Sequence, residues 1–387
     1  MKPVLDEDNA ARQGAAHDAA GCARAHRSAR RRWPLHAFAA ALVASLLSGC
    51  ASWSDGPGYY LQSIAGHLAV MSKARPIASV VDDPQTPPAL RQRLEDVVAI
   101  RAFASDELGL PRNGSYTEYA DLDRPFVVWN VFATPQLSMR LEQWCFPFVG
   151  CVAYRGYYDR DDAEHFAQRL REQGLDVVVR GVPAYSTLGW FDDPVLNTFI
   201  GYPQAEVARL IFHELTHQEL YVKGDTTFNE SLATAVEREG LRRWLAAVEK
   251  RTHDTSLRKQ WEVFDARRQQ FLALLKRHRA ALETLYASPV SDEAKRAGKR
   301  EIFAALKRDY EALKSEWGGF AGYDGFFAQP LTNAHLASIA TYTDLVPAFR
   351  ALLEREGGNL PAFYAAARRI GDLPKSERSA ALEALEP

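Results

Sequence analysis

The sequence predicts an α+β fold that is mostly helical. Two observations carry that expectation: a strand–helix–strand run between residues 124 and 182, and helical periodicity over nearly everything from 204 onward. A third is a pair of long, charged, amphipathic stretches at about 252–316, which most simply form an antiparallel helical hairpin. The chain has 387 residues, 47% of them hydrophobic, enough for one sizeable core, and it shows no internal repeat. A formal net charge of −2 gives no reason to expect nucleic acid as a partner.

Residues 59–75 and 88–109 are helical in periodicity, with the breaker stretch "DDPQTPP" between them. The segments "RPFVVWNVFA" (124–133) and "LDVVVRGV" (175–182) are rich in valine and aromatics and read as strands. Between them, "DRDDAEHFAQRLREQG" is a helix with Asp161 and Glu164 in capping-box spacing and Gly174 as its stop. The hairpin has one apolar stripe through Trp261, Phe264, Phe271, Leu275, Leu282 and Leu285, and a second through Phe303, Leu306, Tyr310 and Leu313. The tail has shorter helices, one starting at Pro361 and another after Pro374.

The first fifty residues stand apart. A basic run, "RAHRSARRR" (24–32), precedes the apolar "LHAFAAALVASLLSGC" (35–50). That run is shorter than the ~20 apolar residues a membrane span needs, so it reads as a secretory signal. Its end, Leu47-Ser48-Gly49-Cys50, resembles the lipobox of bacterial lipoproteins. In that family the cysteine is acylated and becomes the first residue after cleavage. The resemblance implies a removed segment at 1–49, a lipidated tether at 50–58 and one domain at 59–387. It implies a protein of the bacterial envelope facing the periplasm, with the lipid bilayer as partner through Cys50. Ala51 after the cysteine favours the outer membrane. The competing reading is a buried apolar helix that ends by chance in Gly-Cys. An exported chain meets an oxidising compartment, so Cys145 and Cys151 in "WCFPFVGC" are expected to form a local disulfide rather than a metal pair.

The stretch "IFHELTHQEL" (211–220) bears the chemistry. On a helix, His213 and His217 lie on one face and can share a cation, while Glu214 points beside them and can act on a water as general base. A hydrolytic zinc needs a third protein ligand and an open fourth position. Glu230 in "FNESLATAVE" is the candidate, because the Gly224-Asp225 turn lets a second helix run back against the first. The alternative makes Glu230 a residue favoured at a helix N-terminus by the macrodipole. Glu237, two turns on, either supports a ligand histidine or is a solvated glutamate, and Asn229 is either a substrate group or a helix cap.

"HELTH" followed by "NESLATAVE" resembles the gluzincins, zinc peptidases with two histidines and a glutamate as ligands. More closely, the chain resembles a bacterial lipoprotein family described as predicted aminopeptidases. The matching stretches are "WCFPFVGCVAYRGYYD" (144–159), "GVPAYSTLGWFDDPVL" (181–196), "LIFHELTHQELYVKGDTTFNESLATAVEREG" (210–240) and "LASIATYTDLVPAF" (336–349). The resemblance implies a zincin-like fold, one zinc ion and a peptide or protein substrate. The segment between the second histidine and the glutamate is shorter than in thermolysin-like enzymes, so the ligand set carries over and the substrate cleft does not. Tyr185, Tyr342, His335 and Arg155 are candidates to stabilise the tetrahedral oxyanion. An aminopeptidase must also recognise a free α-amine, for which Asp192, Asp193 and Glu237 are available. Endopeptidase action, hydrolysis of a cell-wall amide and a non-catalytic zinc-bound envelope scaffold are the alternatives. The intact Glu214 speaks against the scaffold, which needs no general base.

Overall fold

Residues 57–146, 150–340 and 345–385 are described by the structure, a computed structural model; Cys50, Tyr342 and the segment 1–49 lie outside the described residues. Helix α1 (Pro57–Met71) leads through strand β1 (Arg75–Pro76) into α2 (Ile77–Asp82) and α3 (Pro88–Asp106). The first helix ends before the expected residue 75 because the chain turns at Ser72–Ala74 and Arg75 pairs with Tyr119 of β2 (Glu118–Ala120). Strand β8 (Val195–Leu196) joins β2 in parallel, closing a small three-stranded sheet.

The larger sheet has β3 (Val128–Pro135) at its centre, with β6 (Arg155–Tyr157) on one side and β7 (Leu175–Val182) on the other, all antiparallel. Alternation along β3 sends Val131 and Ala133 to one face, where they meet Ala163, Phe166 and Leu170 of α4 (Arg160–Glu172). Phe132 points the other way and packs with Val178, Ala334 and Tyr154. The cap of α4 is Asp159, which accepts from the backbone N–H groups of Asp161 and Asp162 at 2.8 and 3.1 Å. The cap therefore lies two residues before the expected capping box, and Asp161 falls in the first turn, where its charge suits the helix dipole. Strands β4 (Trp144–Phe146) and β5 (Gly150–Val152) form a separate hairpin, with Cys145 opposite Cys151 and a disulfide between them.

After α5 (Asn197–Ile200), the long helices α6 (Gln204–Glu219) and α7 (Thr226–Thr252) pack against each other over the main core. Phe103 of α3 meets both Phe212 of α6 and Trp244 of α7 around this contact. At Gly240 the helices come close enough that a Cβ would lie 2.7 Å from Leu108 and 2.9 Å from Phe212. The expected hairpin is present as α8 (Ser256–Ala287) and α9 (Asp292–Glu316), around Phe271, Leu275, Leu282, Leu306 and Tyr310. Its stripe divides, since Trp261 packs on the main core and Phe271 and its successors fill the hairpin's own core.

The short α10 (Asp324–Phe327) and α11 (Asn333–Ala340) dock this hairpin on the larger sheet. Asp176 of β7 accepts from the Asn333 N–H and from Lys299 of α9. Helices α12 (Val346–Arg355), α13 (Leu360–Gly371) and α14 (Lys375–Glu383) complete the main core, with Phe349 meeting Phe228 of α7 on one side and Phe363 on the other. No helix among the described residues is long and apolar enough to cross a membrane.

Candidate metal centre and active site

His213 and His217 occupy adjacent turns of α6, and Glu230 faces them from the second turn of α7. The reversal between the helices is fixed by three residues. Asn229 accepts from the Val222 N–H at 2.7 Å and donates to its carbonyl at 2.9 Å. Asp225 caps α7 by accepting from the Phe228 N–H, and the guanidinium of Arg378 pairs with the same aspartate. The cap is thus Asp225, and Asn229 spends its amide on holding the loop.

The three ligand-type side chains are buried, and one donor atom from each lies within 4.8 Å of the others. The Nε2 atoms of His213 and His217 lie 3.1 and 3.7 Å from Glu230 Oε2. Burial raises the Glu230 carboxyl, but the His217 charge and the His213 hydrogen bond outweigh it and hold it down to about 2. A buried His-His-Glu group of this kind can bind a divalent metal, since neutral imidazole and carboxylate are the ligands such ions take.

Glu237 is fully buried and supports His213 from behind. Its Oε2 accepts from His213 Nδ1 at 2.9 Å and from Arg209 at 2.7 Å, while Arg268 of α8 lies 3.6 Å from Oε1. Burial raises its carboxyl and the Arg209 charge brings it far below the ordinary range, so it stays ionised. The bond orients His213 with Nε2 toward Glu230, the arrangement by which a carboxylate raises a ligand's basicity. His217 Nδ1 is buried without a partner, so only His213 has this support. Glu214, between the histidines in sequence, has its carboxyl pushed up by burial and pulled back by the two imidazoles.

Residues 58–382 match a family model described as "Putative aminopeptidase". The chain belongs to that family. The match takes in both metal-site helices, the two sheets and the helical hairpin. No curated protein and no solved structure matches the chain.

The other residues singled out in the sequence fall in different places. Arg155 is stacked 4.0 Å over Tyr59 and 4.5 Å over Phe166, in the aromatic cluster beneath β6. His335 accepts from the Thr332 N–H at 3.0 Å at the start of its own helix, and burial lowers it to about 4. Tyr342 lies outside the described residues. Tyr185 shares a hydrogen bond with His67 Nδ1 at 2.7 Å and meets Tyr158 edge-on. Asp192 is exposed, whereas Asp193 is buried, with Oδ2 accepting from the Thr187 N–H and the Gln218 amide.

Four contributors had not been singled out. Arg209 and Arg268 neutralise Glu237. Tyr154 is half-buried and coupled electrostatically to Glu230 and Glu214, and Tyr116 to Glu214 and Asp193. Tyr154 adjoins Arg155 in "CVAYRGYYD", and the alternation of an extended segment sends the two to opposite faces.

Proposed function

We propose that the protein is a zinc-dependent aminopeptidase of the bacterial cell envelope, tethered to the membrane through an acylated Cys50. The buried His213, His217 and Glu230 group, with Glu214 between the two histidines in sequence, is the observation that carries the reading. The donor set fits zinc: two imidazoles, one carboxylate held ionised, and a second carboxylate fixing one imidazole. Zinc bound there supplies a water with a pKa near ~7 and an electrophile for the scissile carbonyl.

The chain's own residues do the rest. Glu214 accepts the proton of the attacking water, and its burial-raised carboxyl then returns that proton to the leaving amine. Burial first, and then the Glu230 charge, keep the Tyr154 hydroxyl protonated. It is a donor available to the oxyanion, whereas Arg155 lies in the aromatic cluster and His335 is held at the start of its own helix. Glu237 keeps His213 in the orientation that presents Nε2.

The decisive experiment offers a mixed peptide pool with free and with acetylated N-termini. Glu214→Gln should lose ~10²–10⁴-fold in kcat while retaining zinc. Cleavage of free peptides alone, lost in the variant, establishes the aminopeptidase. Cleavage of both pools makes it an endopeptidase. No cleavage by zinc-loaded protein removes the peptidase reading.

A further inference from the structure

We propose that Asp193, together with the hydroxyl of Tyr116, binds the free α-ammonium of the substrate's first residue. The inference rests on the peptidase reading and supplies the part of it that distinguishes an exopeptidase. Three carboxylates were available for the task, and the structure disposes of two. Glu237 is enclosed by Arg209, Arg268 and His213, and Asp192 is exposed to solvent.

Asp193 is 2% exposed, and its Oδ1 has no partner. Among the described residues no cationic side chain bonds to it. Burial accordingly pushes its carboxyl up to about 7, against the pull of hydrogen bonds from Thr187 and Gln218. Tyr116 is 1% exposed, and its hydroxyl is also without a partner. The nearby Arg101 spends its donors on the carbonyls of Ser115, Pro111 and Asn113 and on the Ser105 hydroxyl. A buried carboxylate oxygen and a buried hydroxyl, both unmatched, cost stability unless a group arrives to satisfy them. An ammonium does so with charge as well as hydrogen bonds.

The position fits the chemistry. In a peptide the α-nitrogen lies roughly 2.5 Å from the carbonyl carbon of its own residue, so an amine site must adjoin the general base. Gln218 follows Glu214 by one helical turn on the same face of α6. Its amide reaches Asp193 Oδ2 at 3.2 Å and the Ser115 hydroxyl at 3.1 Å. Tyr116 and Asp193 are tied by a backbone hydrogen bond of 2.6 Å, and both lie near enough to Glu214 for its charge to raise them. Tyr116 holds φ at 63°, a conformation a bulky side chain seldom adopts, and the bond to Asp193 helps keep it there.

The test measures binding, so that it does not depend on turnover. Leucine hydroxamate and its N-acetyl form are titrated calorimetrically into the zinc-loaded protein. The free amine should bind at least tenfold more tightly. Asp193→Asn should bring the ratio close to one at unchanged zinc content, and Tyr116→Phe should reduce it several-fold. Equal affinities in the wild type, or an undiminished preference in Asp193→Asn, would overturn the inference. Peptide hydrolysis that Glu214→Gln abolishes would still leave the peptidase reading standing in that case. If neither probe binds, the inference falls, and the peptidase reading stands or falls with the hydrolysis assay.

Discussion

At the scale of single residues, the site is a set of buried charges whose states are fixed by their neighbours. Glu237 has two arginines and an imidazole against it, and removing its charge leaves the Arg209 guanidinium with Glu206 alone. Glu237→Gln keeps the shape and loses the charge, so zinc affinity should fall ~10–100-fold. Competition with a chromophoric chelator reads that change, and unaltered affinity would assign Glu237 to the fold alone. Asp193 is the opposite case, a carboxyl that its surroundings penalise. Its pKa is about 7 in the fold against an ordinary 3.8, so its contribution to stability is complete below about 4 and is lost as pH rises through about 7. Asp193→Asn escapes that loss. Its melting temperature should exceed the wild type's by a margin that widens from pH 5 to pH 8, and a margin independent of pH would show that the carboxyl is not perturbed. A residue kept at a cost to stability is what a binding site requires.

At the scale of elements, what repeats with a period could be read from the sequence, and what is assembled by loops could not. The hairpin stripes, the strand at 175–182 and the two histidines at i and i+4 all obey local periodicity. Strands β1, β2 and β8 are two or three residues long, too short for any pattern, and exist because the chain brings them together. Tyr116 and Asp193 lie 77 positions apart on the loops beside those strands, so their pairing had no sequence signal. Arg155 stacks in the aromatic cluster while its neighbour Tyr154 couples to Glu230, because one step along an extended segment is a change of face.

The disulfide hairpin was expected from the signal-like segment and the spacing of its cysteines, but its neighbour was not. A Cβ on Gly150 would lie 2.8 Å from the Gly224 nitrogen, so β4–β5 rests on the loop that joins the two metal-site helices. Cys145→Ser with Cys151→Ser should cost about 2 kcal/mol through the unfolded state. It should also lower kcat by loosening that loop, measured with zinc saturating. Stability lost with kcat intact would confine the hairpin to a structural part.

At the scale of the whole molecule, the candidate metal centre is where separate layers converge. Glu230 belongs to α7, the histidines to α6, and Arg268 reaches Glu237 from the helical hairpin. That hairpin is in turn fastened to the larger sheet through Lys299 and Asp176, so it is an integral part of the fold rather than a free arm. An ion held between α6 and α7 joins elements whose relative position the whole core determines. It binds the native state and little else, so it should add stability by mass action, ~2.7 kcal/mol at a free concentration one hundred times its Kd. The melting temperature should therefore rise with added zinc and fall with a strong chelator, and the difference should vanish in Glu230→Gln. A variant that still gains stability from zinc would place the ion elsewhere. A wild type indifferent to both would mean that His213, His217 and Glu230 are a hydrogen-bonded structural cluster, and the zinc mechanism would go with it.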